Sequence, residues 1–90
     1  MSEWVFFMHP PRDDFIATMT AAERAAFDEH AAWLRALLAD DVLIAAGPCL
    51  GRVNTGIAIL GAADAEQAQR IAAGEPVTRG GYMRGGLDRP

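Results

Sequence analysis

His30 and Glu75 are the two residues of this chain whose types and positions best suit acid–base chemistry. His30 lies in a stretch that predicts an amphipathic helix, on the same face as Ala26, Trp33 and Leu37, at spacings of four, three and four residues. A histidine on an apolar face must either find a buried partner or line a cavity. Glu75 follows the second predicted helix and is a candidate partner. A carboxylate that orients an imidazole favours proton transfer, so the two residues are candidates for a general base and its partner. By residue type alone, a histidine on a helix is more often structural, and a glutamate just after a helix is more often solvated.

Two further side chains, Arg12 and Trp33, could contact a substrate. Arg12 follows Pro10 and Pro11, which restrict the backbone, and its guanidinium could hold an anionic group through a bidentate contact. It could equally be a surface arginine that pairs with a neighbouring aspartate. Trp33 lies about one helical turn from His30 and could form a wall of the same pocket. As a helix aromatic it could also belong to the core.

The sequence gives little support for a metal or a reactive thiol. His9, His30 and Glu75 form a set of two histidines and one carboxylate, a type that can bind transition metals, but no short ligand spacing supports such a site. Cys49 is the only cysteine, which excludes an intramolecular disulfide and a cysteine-rich zinc site. No basic residue close to Cys49 would activate its thiol. We therefore expect neither a metal nor another cofactor.

Composition excludes several further classes of protein. Ninety residues, of which 51% are hydrophobic and 22% charged, predict one globular domain spanning residues 1–90. The net charge is −4, and all eight basic residues are arginine, which excludes Schiff-base chemistry and a P-loop lysine and does not favour nucleic-acid binding. No apolar run is long enough to cross a membrane, and no signal-peptide pattern is evident. We expect a cytoplasmic protein without nucleic-acid or membrane partners.

Alternating strand and helix signals would position the candidate site. Capping boxes that begin at Thr20 and Asp64 predict two helix starts, and Gly74 with Pro76 predicts the end of the second helix. The glycine-rich tail, residues 77–90, could supply a short last strand around residues 82–83. Strands are predicted at residues 4–8, 42–46 and 55–60, and helices at residues 20–39 and 64–73. The resulting order, β-α-β-β-α-β, is the ferredoxin-like arrangement of the α+β class.

In that arrangement both helices cover one face of the sheet and leave the other face bare. The first two predicted strands are apolar along their whole length, which is typical of strands buried on both faces. The short connection between the second and third strands predicts an antiparallel hairpin. A homodimer in which the two bare faces pack together would cover the apolar strands.

Several short motifs, in this order and spacing, resemble the YCII-related family over most of residues 5–80. The motifs are Pro10-Pro11-Arg12, Met19-Thr20 before an acidic cap, His30 within HAAWLRALL, Ala46-Gly47-Pro48, Gly56 in the third strand, and Glu75-Pro76 after the second helix.

The resemblance implies a dimeric α+β barrel built from ferredoxin-like subunits. It also implies a dyad in a cleft, formed by a histidine on the first helix and an aspartate after the second. Some relatives are reported to eliminate chloride from chlorinated hydroxyquinol-type intermediates. The family histidine falls on His30 and the aspartate position on Glu75, where this chain has glutamate. The sequence also departs from relatives after Pro48, where they often carry an acidic residue, and in its glycine-rich ending.

Three functions remain open at this point. In the first, a small lyase or isomerase uses His30 for proton transfer on a small cyclic organic acid, with Glu75 orienting His30 and Arg12 holding the anion. In the second, the same cleft binds a metabolite without turnover. In the third, an accessory protein acts through its dimer surface, and His30 is structural. The distance between the His30 ring and the Glu75 carboxylate separates the first two from the third.

Overall fold

The computed structural model describes all residues from 1 to 90 and confirms the ferredoxin-like α+β prediction. A short 3-10 turn at Ile16–Thr18 precedes the first helix. The elements are β1 (Ser2–His9), α1 (Ala21–Ala39), β2 (Leu43–Pro48), β3 (Gly56–Ala62), α2 (Ala65–Ala73), a short α3 (Pro76–Arg79) and β4 (Arg84–Asp88). No helix is both long enough and apolar enough to span a membrane.

The four strands form one sheet in the order β2-β3-β1-β4, and every neighbouring pair is antiparallel. The predicted hairpin of β2 and β3 is confirmed. β1 lies in the interior of the sheet, where Trp4 is opposite Leu60 and Phe7 is opposite Ile57 on β3. β2 and β4 are therefore the two edges of the sheet.

Side chains alternate between the two faces of the sheet, and only one face is buried in this chain. Phe6, Met8 and Leu60 are buried and belong to the core, to which Ala26 of α1 and Val77 of α3 also contribute. The side chains of Val5, Phe7 and Ile59, next to these residues along the strands, point to the other face and are only half-buried. The prediction that β1 and β2 are buried on both faces is therefore not met within one chain.

Side-chain caps begin the two main helices. Thr20 caps α1 in a reciprocal capping box, because its hydroxyl accepts from the amide of Glu23 and the Glu23 carboxylate accepts from the amide of Thr20. Asp64 caps α2 by accepting from the amide of Gln67. The Gln67 side chain, however, accepts from the amide of Ala63 instead of that of Asp64. The second predicted box is thus only half formed.

The chain after α2 differs most from the prediction. The backbone of Gly74 does not adopt the left-handed conformation that is common at helix ends, since its φ is −84° and its ψ is −4°. The chain turns directly into α3, a helix that the sequence did not predict. The last strand lies at Arg84–Asp88 and not around residues 82–83. Position 85 of this strand is a glycine because the Phe6 ring occupies the space next to its backbone. A Cβ atom there would lie 3.2 Å from a ring carbon. Glycine here makes room for a core aromatic.

β2 also extends beyond its predicted end. Gly47 and Pro48 lie beyond the predicted end at residue 46, but they are the last two residues of the strand and pair with Ile57 and Gly56. β2 is an edge strand, and a proline on an edge need not remove a hydrogen bond from the ladder. The sheet therefore reaches far enough to form one side of the cavity described below.

Candidate active site

The structure brings His30 of α1 and Glu75, which directly precedes α3, into contact. The His30 Nδ1 atom lies 2.8 Å from the Glu75 Oε2 atom. The Glu75 side chain is fully buried, whereas the His30 side chain is 15% exposed. Two residues that are 45 positions apart in the chain are thus joined by one short hydrogen bond.

Glu75 is held from two sides. It is the N-cap of α3, where its Oε2 atom accepts from the amide of Val77 at 2.9 Å and its Oε1 atom accepts from the amide of Thr78 at 2.7 Å. Burial by itself raises the pKa of Glu75, but the hydrogen bonds from His30 and from these two amides outweigh it and hold the pKa below its ordinary value. The carboxylate is therefore ionised and fixed in orientation.

An ionised carboxylate can only accept hydrogen bonds, so the neutral imidazole of His30 must carry its hydrogen on Nδ1. The lone pair then lies on Nε2. That atom has no hydrogen-bond partner in the protein, and it is not sealed from solvent. The arrangement leaves one basic nitrogen free, with a carboxylate placed to stabilise the imidazolium that forms when Nε2 takes a proton.

Two aromatic side chains fix the plane of the His30 ring. Trp33 stacks on it with ring centroids 5.7 Å apart, and Phe27 meets it edge-on at 5.3 Å. Trp33 also contacts the core ring of Phe6 edge-on at 6.1 Å. Because Trp33 does not line the cavity beside His30, the structure does not place it as a wall for a substrate.

His30 opens on an apolar cavity of about 330 Å³ between α1, the 3-10 turn and strands β2 and β3. None of the lining side chains is charged, and only those of His30 and Asn54 carry nitrogen or oxygen. The lining residues are Met8, Phe15, Ile16, Met19, Phe27, His30, Leu34, Ala46, Gly47, Pro48, Asn54, Gly56, Ile57, Ala58 and Met83. A concave apolar site with a small number of polar groups is typical of a small-molecule site.

Asn54 is a buried polar residue that sequence reasoning did not identify as part of the site. Its Oδ1 atom accepts from the amide of Ile16 at 3.0 Å, and its Nδ2 atom donates to the carbonyl oxygens of Cys49 and Gly51, each at 3.1 Å. The side chain thus joins the loop after β2 to the 3-10 turn, along one edge of the cavity. Its only sequence signal is an asparagine in a turn region, which does not predict burial.

Arg12 does not line the cavity. Its guanidinium binds the Glu23 carboxylate through two hydrogen bonds of 3.0 and 2.7 Å, and it also donates to the hydroxyl and the carbonyl oxygen of Thr18. The hydrogen bond from Arg12, followed by that from the Thr20 amide, lowers the pKa of Glu23 to about 2. Arg12 therefore ties the segment before α1 to the first turn of that helix, and a contact between Arg12 and a substrate anion stays a prediction.

The possible metal ligands His9, His30 and Glu75 do not lie together in the structure. No three His, Cys, Asp or Glu side chains form a group that could hold a metal ion. His9 stacks on Phe7 and lines a separate groove with Tyr82, away from His30 and Glu75. Cys49 is an exposed free thiol.

Comparison with known proteins places the chain in a family. A model of the YCII-related domain matches residues 4–84. The chain belongs to the YCII-related family. No curated protein is significantly similar to it in sequence.

A solved structure confirms the fold of this YCII-related chain. It is 5-chloro-2-hydroxyhydroquinone dehydrochlorinase (TftG) from Burkholderia phenoliruptrix AC1100, in complex with 2,5-dihydroxybenzoquinone. The two chains share 18% sequence identity and superpose with a TM-score of 0.62, over 96% of this chain and 92% of the other.

The YCII-related chain forms its histidine–carboxylate contact through glutamate, at the position where the family resemblance implies aspartate. Because α3 begins immediately after Glu75, the longer side chain accepts from the first amides of α3 and still reaches His30. The extra methylene does not keep the two groups apart.

Proposed function

We propose that this YCII-related protein is a small-molecule enzyme of the lyase or isomerase type, with His30 as general base and Glu75 as the group that orients it. The observation that carries the proposal is the 2.8 Å contact between His30 Nδ1 and a buried carboxylate, which leaves Nε2 free at an apolar cavity. The dehydrochlorinase with the same fold supports the reaction class.

In the proposed step, Nε2 takes a proton from a substrate C–H or O–H bond. The electron pair of that bond forms a new double bond in the substrate. In an elimination, a leaving group such as chloride departs with its bonding pair; in an isomerisation, a proton returns at another carbon. Glu75 stabilises the imidazolium, and the proton then passes to solvent. Trp33 and Phe27 hold the ring plane, and Arg12 supports the cavity indirectly, through α1 and the segment before it.

A substrate screen tests this proposal. Small cyclic compounds, both charged and uncharged, with an acidic hydrogen and in some cases a halogen, would be incubated with the protein in deuterated buffer. Proton NMR would detect exchange at carbon, and ion chromatography would detect released halide. We expect at least one compound to react with the wild type and not with His30→Gln. Equal rates with both proteins, or no reaction across the panel, would contradict the proposal.

A second candidate is a binding module without turnover. The observation that favours it is that His30 is the only ionisable side chain in the cavity, so one chain supplies no separate acid to protonate a leaving group. This candidate predicts ligand binding that His30→Gln tolerates and no conversion of any bound compound. The screen above separates the two candidates.

We also propose that two copies pack together through the open face of the sheet. Val5, Phe7, Ile57 and Ile59 alternate with core residues and are only half-buried, and Ile44 on the β2 edge is 56% exposed. Such a row of apolar side chains is typical of a face that another layer covers.

We also propose a cytoplasmic location, which the single cysteine, a free thiol, supports.

The assembly prediction is tested by light scattering after size-exclusion chromatography. Wild type should have the mass of two chains, and Ile59→Arg should have the mass of one, because the new charge would lie in the apolar contact. Ala32→Arg, on the exposed surface of α1, is the control and should leave the mass unchanged. A wild-type monomer at micromolar concentration, or a dimeric Ile59→Arg, would refute the proposed interface.

A further inference from the structure

We infer that two copies of this chain meet with their β4 strands antiparallel, so that Arg84 of each copy pairs with the partner's Asp88 across a twofold axis close to Gly86. The inference rests on the proposed packing through the open face of the sheet, for which it fixes the orientation of the second copy. It does not depend on the proposed enzymatic activity.

The β4 residues Arg84 and Asp88 lie on the open face of the sheet. In the antiparallel pair of β1 and β4, Arg84 is opposite His9 and Asp88 is opposite Val5. Directly opposite residues of such a pair point to the same face, and Val5 faces away from the core. A Cβ atom at Gly86, between the two charged residues, would lie 3.8 Å from His9 Nε2, so the His9 ring occupies the same face.

The charges of the open face are divided by sign. Arg84 lies at one end of β4, beside His9, and Asp88 lies at the other end, where Glu3 of β1 is its diagonal neighbour. The two ends of β4 are about 13 Å apart along the strand. Both side chains, Arg84 and Asp88, are exposed, and neither forms a salt bridge within the chain. The face therefore presents an unpaired positive charge at one end and an unpaired negative charge at the other.

The half of the face formed by β2 and β3 carries no charge. These two strands contain no charged residue, and the β2 residues on the open face are Ala45 and Gly47. If the second copy placed its β2 over β4, the charges of β4 would face these two residues and stay unpaired. A charge that loses water at an interface without gaining a partner is unfavourable. The uneven distribution of charge therefore favours β4 over the β4 of the second copy.

Only an antiparallel alignment of the two β4 strands joins opposite charges. With Gly86 close to the axis, each Arg84 meets the partner's Asp88, and both ends of the contact gain an ion pair. A parallel alignment would bring like charges together at both ends. Packed sheets lie about 10 Å apart, a gap that an arginine and an aspartate can span from opposite sides. Gly86 adds no side chain that would obstruct the approach.

The two ion pairs select the orientation, whereas the apolar side chains of the open face supply most of the affinity. Charges at the rim of an interface act mainly on the rate of association and on the choice of partner. A charged edge strand usually prevents pairing with another chain. In β4 the opposite signs at the two ends repel a second copy in one orientation and attract it in the other.

Reversal of each charge tests the inference. Arg84→Asp makes both ends of β4 acidic, and Asp88→Arg makes both ends basic. Each variant alone should have a dimer dissociation constant at least about tenfold higher than that of wild type at low ionic strength, because like charges meet at both ends. Analytical ultracentrifugation measures these constants. The double variant Arg84→Asp/Asp88→Arg should dimerise like wild type.

A mixture of the two single variants gives the sharpest result. After subunit exchange, an equimolar mixture should consist mainly of heterodimers, since every acidic end then meets a basic end. Native mass spectrometry separates the heterodimer from both homodimers by mass. Recovery of the dimer in the mixture distinguishes charge repulsion from misfolding, because a chain that does not fold would not regain its partner.

Arg70→Asp and Glu66→Arg are the matched controls, because they make the same changes of net charge on the exposed surface of α2. These two variants should dimerise like wild type and, when mixed, should form no more heterodimer than random pairing gives. High salt should weaken the preference of the β4 variants for each other, because it screens exposed charges.

The outcomes separate this inference from the proposals above. Random pairing of the β4 variants, homodimers of either variant as stable as wild type, or a double variant that stays monomeric would overturn the inference and leave the open-face assembly standing. A wild-type monomer would overturn both the inference and that assembly. Turnover in the substrate screen is measured independently, so the enzyme proposal stands or fails on its own result.

Discussion

Replacement of Glu75 by alanine should destabilise the fold by about 2–5 kcal/mol, because the buried amide of Val77 and the part-buried amide of Thr78 would both lose their acceptor. A chain of this length is stable by only about 5–13 kcal/mol, so the loss is a large fraction of the total. Glu75→Gln should cost less, since its amide oxygen can still accept from one of the two amides. Urea denaturation of the three proteins measures the differences.

The matched control for Glu75 is Glu66, whose side chain is 81% exposed and pairs with Arg70 on the surface of α2. Glu66→Gln should change stability by less than about 0.5 kcal/mol.

The stability of the protein should also depend on pH through Glu75. The hydrogen bonds that lower the pKa of Glu75 favour the folded protein above the ordinary glutamate pKa of 4.5, and this contribution to stability is lost as the pH falls through the folded-state pKa. The advantage of wild type over Glu75→Gln should therefore shrink on acidification below about pH 4.5. A pH-independent difference would show that Glu75 is not held as a carboxylate.

Replacement of His30 by glutamine should lower the turnover of any substrate found in the screen by about 10²–10⁴-fold, the range typical of a lost general base. Glutamine can still donate to the Glu75 carboxylate and so keeps the buried acceptor paired, but its amide cannot take a proton at neutral pH. Steady-state kinetics should show the loss in kcat, with KM changed much less.

His9 offers the matched control, since it is the only other histidine and lies outside the cavity. His9→Gln should leave kcat within about twofold, provided that its mass in solution matches that of wild type. A His30→Gln enzyme with full kcat would assign proton transfer to another group. An equal loss in both variants would point to a general effect on the fold or assembly.

The sequence alone determined most of the secondary structure and the two groups at the centre of the site. Thr20 and Asp64 mark the helix starts within a residue, because an N-cap is a local interaction between a side chain and the next turn. Apolar runs located the first three strands, because a run of this kind is also a local feature of the sequence. The position of His30 on an apolar face required a partner, and Glu75, just before a proline, was the candidate that the structure places against it.

The tertiary structure decided what surrounds those groups. Helix α3 is four residues long and depends on the Glu75 cap and on packing of Val77, so no periodic pattern could reveal it. The glycines of β4 weaken a strand in isolation, and only the Phe6 ring explains Gly85. Arg12 has the chemistry of an anion clamp, but Glu23 lies nearby in the fold and occupies it. Pairing between distant residues depends on the relative placement of whole elements, which is why the sequence indicated a base and only the fold revealed the uncharged cavity around it.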